Sequence, residues 1–447
     1  VSQGQSRGLG RGRVIVLLAA AMLAACSGGN SGSADSGELS AQAQLGKLLF
    51  EDTALSASGQ QSCASCHVES RAFAGDDALA VPLGGPNMDL QGIRNTPSIM
   101  YASFTPPFHF ESDGTPVGGM FRDGRANTLV EQAQGPFLSS FEMANADAAE
   151  LIARLKTRPY LPQFTALYGS AVLDTPATAL QRMALAIAAY ESEDPKFHPF
   201  SSKYDAWTAG KASLSGDELA GLAIFNDATR GNCAGCHPST PVSKSVPALF
   251  TDFTYDNLGV PRNADLAVND DAQTLAYVNY NGTDGVHRFY DTGLCGPVRG
   301  DLADKTALCG AFKVPTLRNI ALTAPYFHNG RFATLQDALR FYVTRDTAPQ
   351  DWFTLNGDGT VNKFDDLPAA DGGQFVVTPH LAGSDLSYLG NVNTSEVPYE
   401  RHIGQAAHLN SSEITQLLAF LCTLTDGYDP AAPASFAWPA QCPQAQP

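Results

Sequence analysis

The chain has 447 residues, 44% of them hydrophobic and 16% charged, with 41 Gly and 28 Pro. That length suggests two or three domains with a loop-rich but real core, and the composition excludes a disordered chain. A formal net charge of −17 argues against nucleic acid or an anionic membrane surface as partner.

In chain order, Arg7, Arg11 and Arg13 precede an apolar run from Val14 to Ala25, followed by Cys26. The run is too short to span a bilayer and reads as the apolar part of a secretory signal. Leu23-Ala24-Ala25-Cys26 has the form of a bacterial lipobox. On that reading 1–25 is a lipoprotein signal peptide, Cys26 the lipid anchor and 26–38 a flexible tether. A plain signal peptide cleaved nearby is the alternative; both predict a periplasmic protein, the first a membrane-anchored one.

Ala41–Phe50 carries apolar residues at helical spacing and leads into Cys63-Ala64-Ser65-Cys66-His67. C-x-x-C-H is the attachment signature of c-type haem, in which two thiols bond the vinyl groups and the imidazole coordinates the iron. Asp147–Lys156 and Ala177–Ser192 are helical in pattern, and the polar stretch Ser192–Tyr204, with Pro195 and Pro199, is the candidate linker. Gly216–Asn226 follows Ser215, with Glu218 at capping-box spacing, and leads into Cys233-Ala234-Gly235-Cys236-His237. A single such pair also fits a zinc half-site or a thioredoxin-like redox pair. Two copies, each with His directly after the second Cys, favour haem. The helix-then-motif repeat resembles two class I cytochrome c modules. The expected fold is mainly α and loop-rich: two cytochrome c-like helical domains, 39–198 and 199–447, each with one covalently attached haem c.

Thr334–Thr344 and Ser411–Thr425 read as later amphipathic helices. Between them, Thr354–Asp365 resembles an EF-hand loop around Asn356-Gly357-Asp358-Gly359, though Thr354 stands where Asp is expected; a solvated turn is the alternative. Of nine cysteines, four lie outside the motifs and the lipobox. Cys295 with Cys309 and Cys422 with Cys442 close short loops, as local disulfides of an oxidising compartment would, with crossed pairing left open.

The residues around the motifs narrow the reading. Arg94-Asn95-Thr96-Pro97, Asp123-Gly124-Arg125, Gln132 to Pro136 and Glu142-Met143 come in that order. After the second motif come Lys313 to Asn319 and Ala324 to Gly330. Together these resemble the bacterial di-haem cytochrome c peroxidase/MauG superfamily from about residue 40 to about 427. Phe341 to Thr347, Lys363 to Pro368, Gly390 to Asn393 and Val397 to Arg401 are similar to MbnH-type di-haem enzymes. The resemblance implies calcium between the domains at Asn95, Thr323 and Pro325; turn and loop packing is the other reading of these three. It implies an open distal face at the first haem, with Gln132 and Glu142 as catalytic residues, one carboxyl taking and returning the peroxide proton. Met143 reads equally as core, and His109 as a distal ligand or a solvated loop histidine.

The same resemblance directs attention to the sixth position of the second iron. No Met lies after the second motif, and Tyr342 stands where the family ligand is expected. A hard, anionic phenolate favours the more oxidised iron, whereas a thioether raises the potential. A tyrosine merely packed in its helix is the alternative. The family also carries a Trp before Asp-Gly-Arg as an inter-haem relay; here that residue is Arg122, which cannot be oxidised, leaving Phe121, Tyr101 or direct transfer. Trp207, Trp352 and Trp438 read as packing. The expected activity is oxidation of a protein substrate, by resemblance a tryptophan, with hydrogen peroxide activated at the first haem and high-valent iron shared with the second. A conventional peroxidase drawing electrons from a small periplasmic redox protein, and a non-catalytic electron-transfer lipoprotein, are the competing expectations.

Overall fold

The computed structural model describes residues 38–76, 79–269, 280–281, 287–367, 374–375 and 391–445. The signal segment, Cys26 and the tether up to residue 37 lie outside them, as do Pro368 and Gly390.

Ser40 starts α1 (Ala41–Glu51), its hydroxyl accepting from the Ala43 amide at 3.1 Å, and the helix buries Leu45, Leu49 and Phe50. The first motif forms the single turn α2 (Cys63–Cys66). Then come α3 (Leu129–Leu138), α4 (Ala148–Leu155), α5 (Leu161–Tyr168) and α6 (Pro176–Glu193). α1 packs on α6 through Gly46, where a Cβ would lie 1.9 Å from the Ala186 carbonyl oxygen. Only glycine permits that backbone approach. Leu49, Phe50, Phe73, Leu151, Ile187 and Phe197 are among the residues of the resulting core.

After α7 (Lys203–Thr208) a second set repeats the arrangement: α8 (Gly216–Asn226), α9 (Leu335–Thr344) and α10 (Ser411–Cys422). Ser215 and Glu218 form the predicted capping box on α8. Gly221 of α8 meets α10 as Gly46 meets α6, its missing Cβ falling 2.0 Å from the Gln416 carbonyl oxygen. Phe225, Phe250, Phe341, Leu417 and Phe420 belong to this second core. The segment predicted as a linker is packed, with Phe197 near its middle in the first core and Tyr204 at its end in the second.

Three helices escape the sequence pattern for physical reasons. α3 contains Gly135 and Pro136, α5 carries Pro162 in its first turn, and α7 has six residues. Strands among the described residues are two-residue ladders, such as Tyr255–Asp256 against Phe312–Lys313. The Cys295–Cys309 and Cys422–Cys442 disulfides both form, with the local pairing. No helix of the described residues is long and apolar enough to cross a membrane.

Candidate active site

The two C-x-x-C-H motifs hold their histidines alike, although the first is an α-helical turn with a Ser62–Ser65 capping box and the second a 3-10 turn after left-handed Asn232. The His67 amide donates to the Cys63 carbonyl at 2.8 Å, and the His237 amide to that of Cys233 at 2.8 Å. Nδ1 of His67 lies 2.9 Å from the Phe73 carbonyl oxygen, and Nδ1 of His237 lies 2.8 Å from that of Phe250. Phe73 and Phe250 share the left-handed backbone, with φ of 52° and 53°. Ser98 donates to the Ala72 carbonyl and Thr316 to that of Leu249, each at 2.6 Å, pinning both turns. A ring N–H spent on a carbonyl leaves Nε2 with a lone pair for a metal. Burial keeps both imidazoles neutral, taking His237 down to about 4.

Both motifs border one cavity of about 750 Å³, lined by Cys66, His67, Cys233, Cys236 and His237 among others. None of the four motif cysteines is in a disulfide. Burial pushes Cys66 up to about 11 and Cys233 and Cys236 to about 12. Two cations, Arg122 and Lys313, also face the cavity, and among the described residues neither has an ion-pair partner; both donate to oxygens of uncharged groups, Asn95 and Gly119. Burial pulls the Arg122 guanidinium down to about 10 and the Lys313 ammonium to about 8. Paired thiols, ligand-ready imidazoles and cations lacking counter-charges fit haem c, which brings its own propionates. Cys63, Cys66 and His67 would hold one haem, and Cys233, Cys236 and His237 the other.

The rest of the wall distinguishes the two halves. Thr128 caps α3 and Thr334 caps α9, their hydroxyls accepting from the Glu131 and Asp337 amides at 3.1 and 3.0 Å. Matching turns precede them, closed by the Met120–Ala126 and Tyr326–Phe332 bridges. Counting on from each cap by the same number of residues reaches Pro136 in α3 and Tyr342 in α9, and both line the cavity. Tyr342 packs 5.7 Å from Phe327 and 6.0 Å from Tyr399, ring centre to ring centre. Burial, then the neighbouring Cys236, drives its phenol above the usual range. The matching Pro136 offers no side-chain ligand atom.

Glu142 sits in the turn after α3. Its amide donates to the Ser139 carbonyl at 3.0 Å, and its own carbonyl accepts from the Gly85 amide at 2.9 Å. Met143 is buried in the first core, which anchors the turn and leaves Glu142 facing the cavity with Gln132. Burial raises the Glu142 carboxyl above the ordinary glutamate range, against opposition from Ser139 and Arg125. The sequence reading missed Glu191, a buried carboxyl on the same cavity that burial takes up to about 8. Its signal was there: Glu191 continues the stripe Leu180, Ala184, Ile187 at helical spacing.

Other predicted residues fall apart from this centre or into support. His109 is exposed and bonded to Pro107 and Glu111. Trp352 is buried and donates to Thr344 at 3.0 Å, while Trp207 and Trp438 pack on the second core. Tyr101 lines the cavity and donates to Asp426 at 2.7 Å. Within Thr354–Asp365, Thr354 and Thr360 donate to Asp365 and Asp358, and Asp365 also accepts from the Arg262 amide at 2.8 Å. Asn95, Thr323 and Pro325 share the cavity wall, but both Asn95 oxygens accept from Arg122.

Paired c-type haem motifs on one cavity, within a helical and loop-rich chain, fit a di-haem c-type redox protein. Residues 40–213 match the family described as di-haem cytochrome c peroxidase. The methylamine utilization protein MauG of Paracoccus denitrificans is 40% identical over 307 residues, 68% of this chain and 74% of that protein. The chain belongs to the di-haem cytochrome c peroxidase/MauG family. Among solved structures, the di-haem peroxidase BthA of Burkholderia thailandensis superposes with a TM-score of 0.73 at 36% identity, covering 88% of each chain. A MauG-like protein associated with microbial copper homeostasis gives 0.54 at 26% identity, over 89% of this chain and 93% of that one.

Proposed function

We propose that this protein uses hydrogen peroxide to oxidise a protein substrate, with peroxide entering at the first haem. The observation that carries the reading is the exchange of Pro136 for Tyr342 at matched positions of α3 and α9. One half of the cavity wall offers an oxygen ligand where the other offers none. When bound, the haems supply the redox chemistry, iron that reacts with peroxide and stores oxidising equivalents.

The chain's own residues do the rest. Glu142, its carboxyl raised by burial above the ordinary glutamate range, can take up a proton at its carboxyl oxygens as base and then return it as acid. The Gln132 amide, on the same wall, orients what Glu142 protonates. Tyr342, lining the cavity near Cys236, would offer the second haem a hard oxygen ligand and so keep peroxide from it. A protein substrate is too large for a 750 Å³ cavity, so its oxidation takes place at the surface by electron transfer.

The competing reading, peroxide reduction with electrons from a small redox protein, calls for a second haem of raised potential, and no Met follows the second motif to provide one. Tyr342→Met tests the choice. The proposal predicts lost peroxide-driven oxidation of tryptophan in an added protein, read by mass spectrometry, and gained turnover with a reduced small cytochrome. Wild-type protein that already turns over that cytochrome as fast as the variant, with no protein product, contradicts it.

A further inference from the structure

The cavity wall between the two motifs carries a fixed cation. In Met120-Phe121-Arg122-Asp123-Gly124-Arg125, Phe121 has a φ of 64° and the Arg125 guanidinium lies over its ring at 3.5 Å. Asp123 is locked by Arg94 at 2.7 Å and by Arg125 at 2.9 Å. The turn therefore directs Arg122 inward, where Nε donates to the Asn95 carbonyl oxygen at 3.1 Å and Nη2 to Asn95 Oδ1 at 2.7 Å. Asn95 is itself fixed, its amide donating to the His328 carbonyl at 2.7 Å and its Nδ2 to that of Ala80 at 3.2 Å. The neighbouring Asp291 is taken by Arg94, at 2.6 and 2.7 Å, and so does not pair with Arg122.

We propose that the Arg122 guanidinium takes the seat a calcium ion would occupy at Asn95, Thr323 and Pro325, so that this protein carries a built-in cation there and neither binds nor needs calcium at that position. Calcium requires six to eight oxygens around it. Both oxygens that Asn95 can offer already accept from a guanidinium, and a dication beside that fixed charge would be repelled. A cation on a side chain, unlike a bound ion, cannot be lost to chelators. The inference does not depend on which substrate is oxidised.

The test uses the di-haem protein as isolated, equilibrated with about 1 mM calcium chloride, freed of loose ion and analysed for metal. Far less than one calcium per chain is expected, and a chelator should leave the thermal unfolding midpoint unmoved. One calcium per chain that Asn95→Ala abolishes would overturn the proposal. Calcium that survives Asn95→Ala sits elsewhere and leaves this seat to Arg122. Arg122→Met frees the Asn95 oxygens and should gain calcium binding in calorimetric titration. An Arg122→Met protein that keeps both haems yet ignores calcium at about millimolar concentration overturns the idea as well, since those oxygens would then be no metal seat.

Discussion

At Glu142 the fold holds a carboxyl on the same cavity wall as Gln132, where burial outweighs the opposing Ser139 hydrogen bond and the Arg125 cation. Its base form populates only as pH rises through a pKa lifted above the ordinary 4.5, so a peroxide reaction that begins with proton removal should speed up across that range. Glu142→Gln should slow the reaction by roughly 10²- to 10⁴-fold and flatten the pH limb, checked by stopped-flow mixing with peroxide. An unchanged rate would remove Glu142 from the chemistry. Glu191 makes a separate prediction about stability. Its folded-state pKa of about 8 exceeds the unfolded 4.5, so the folded state binds the extra proton. Its contribution is complete below pH 4.5 and fades as pH rises to about 8. Glu191→Gln should flatten that part of the stability curve in urea unfolding. Glu142, Gln132 and Tyr342 were legible only through neighbouring motifs, because a lone Glu or Tyr in a helical stretch carries no local sign of what it faces. The engagement of Asn95 by Arg122 was not legible at all, since it joins residues whose separation in sequence gives no pattern.

Each haem motif is preceded by a helix that crosses a later helix at a glycine: Gly46 on α6 and Gly221 on α10. Gly221→Val would drive a side chain into the Gln416 backbone, and should cost about 1–3 kcal/mol or more in denaturant unfolding and reduce loading of the second haem. Gly216→Ala, in the same helix with nothing within 4 Å, is the control and should shift stability by less than about 0.5 kcal/mol. Equal effects would mean that the crossing is not a tight one. α1, α4, α6, α8, α9 and α10 were readable because their apolar spacing is regular and several have clear caps. α3, which carries Gln132 and Pro136, was not: Gly135-Pro136 breaks the pattern in the stretch that shapes the site.

Among the described residues, one turn-capped helix is used twice against one cavity, and its two copies differ at Gln132 against Ala338 and at Pro136 against Tyr342. Matching His, Phe and Ser/Thr placements keep the proximal sides alike. Pro136 and Tyr342 make the other sides differ, which is the basis for assigning peroxide to the first haem and a closed coordination sphere to the second. EPR of the diferric protein, before and after Tyr342→Phe, tests this most directly. The account predicts one high-spin and one low-spin ferric signal in the wild type, with the low-spin signal lost in the variant. Two low-spin signals in the wild type, or a low-spin signal untouched by Tyr342→Phe, would contradict it.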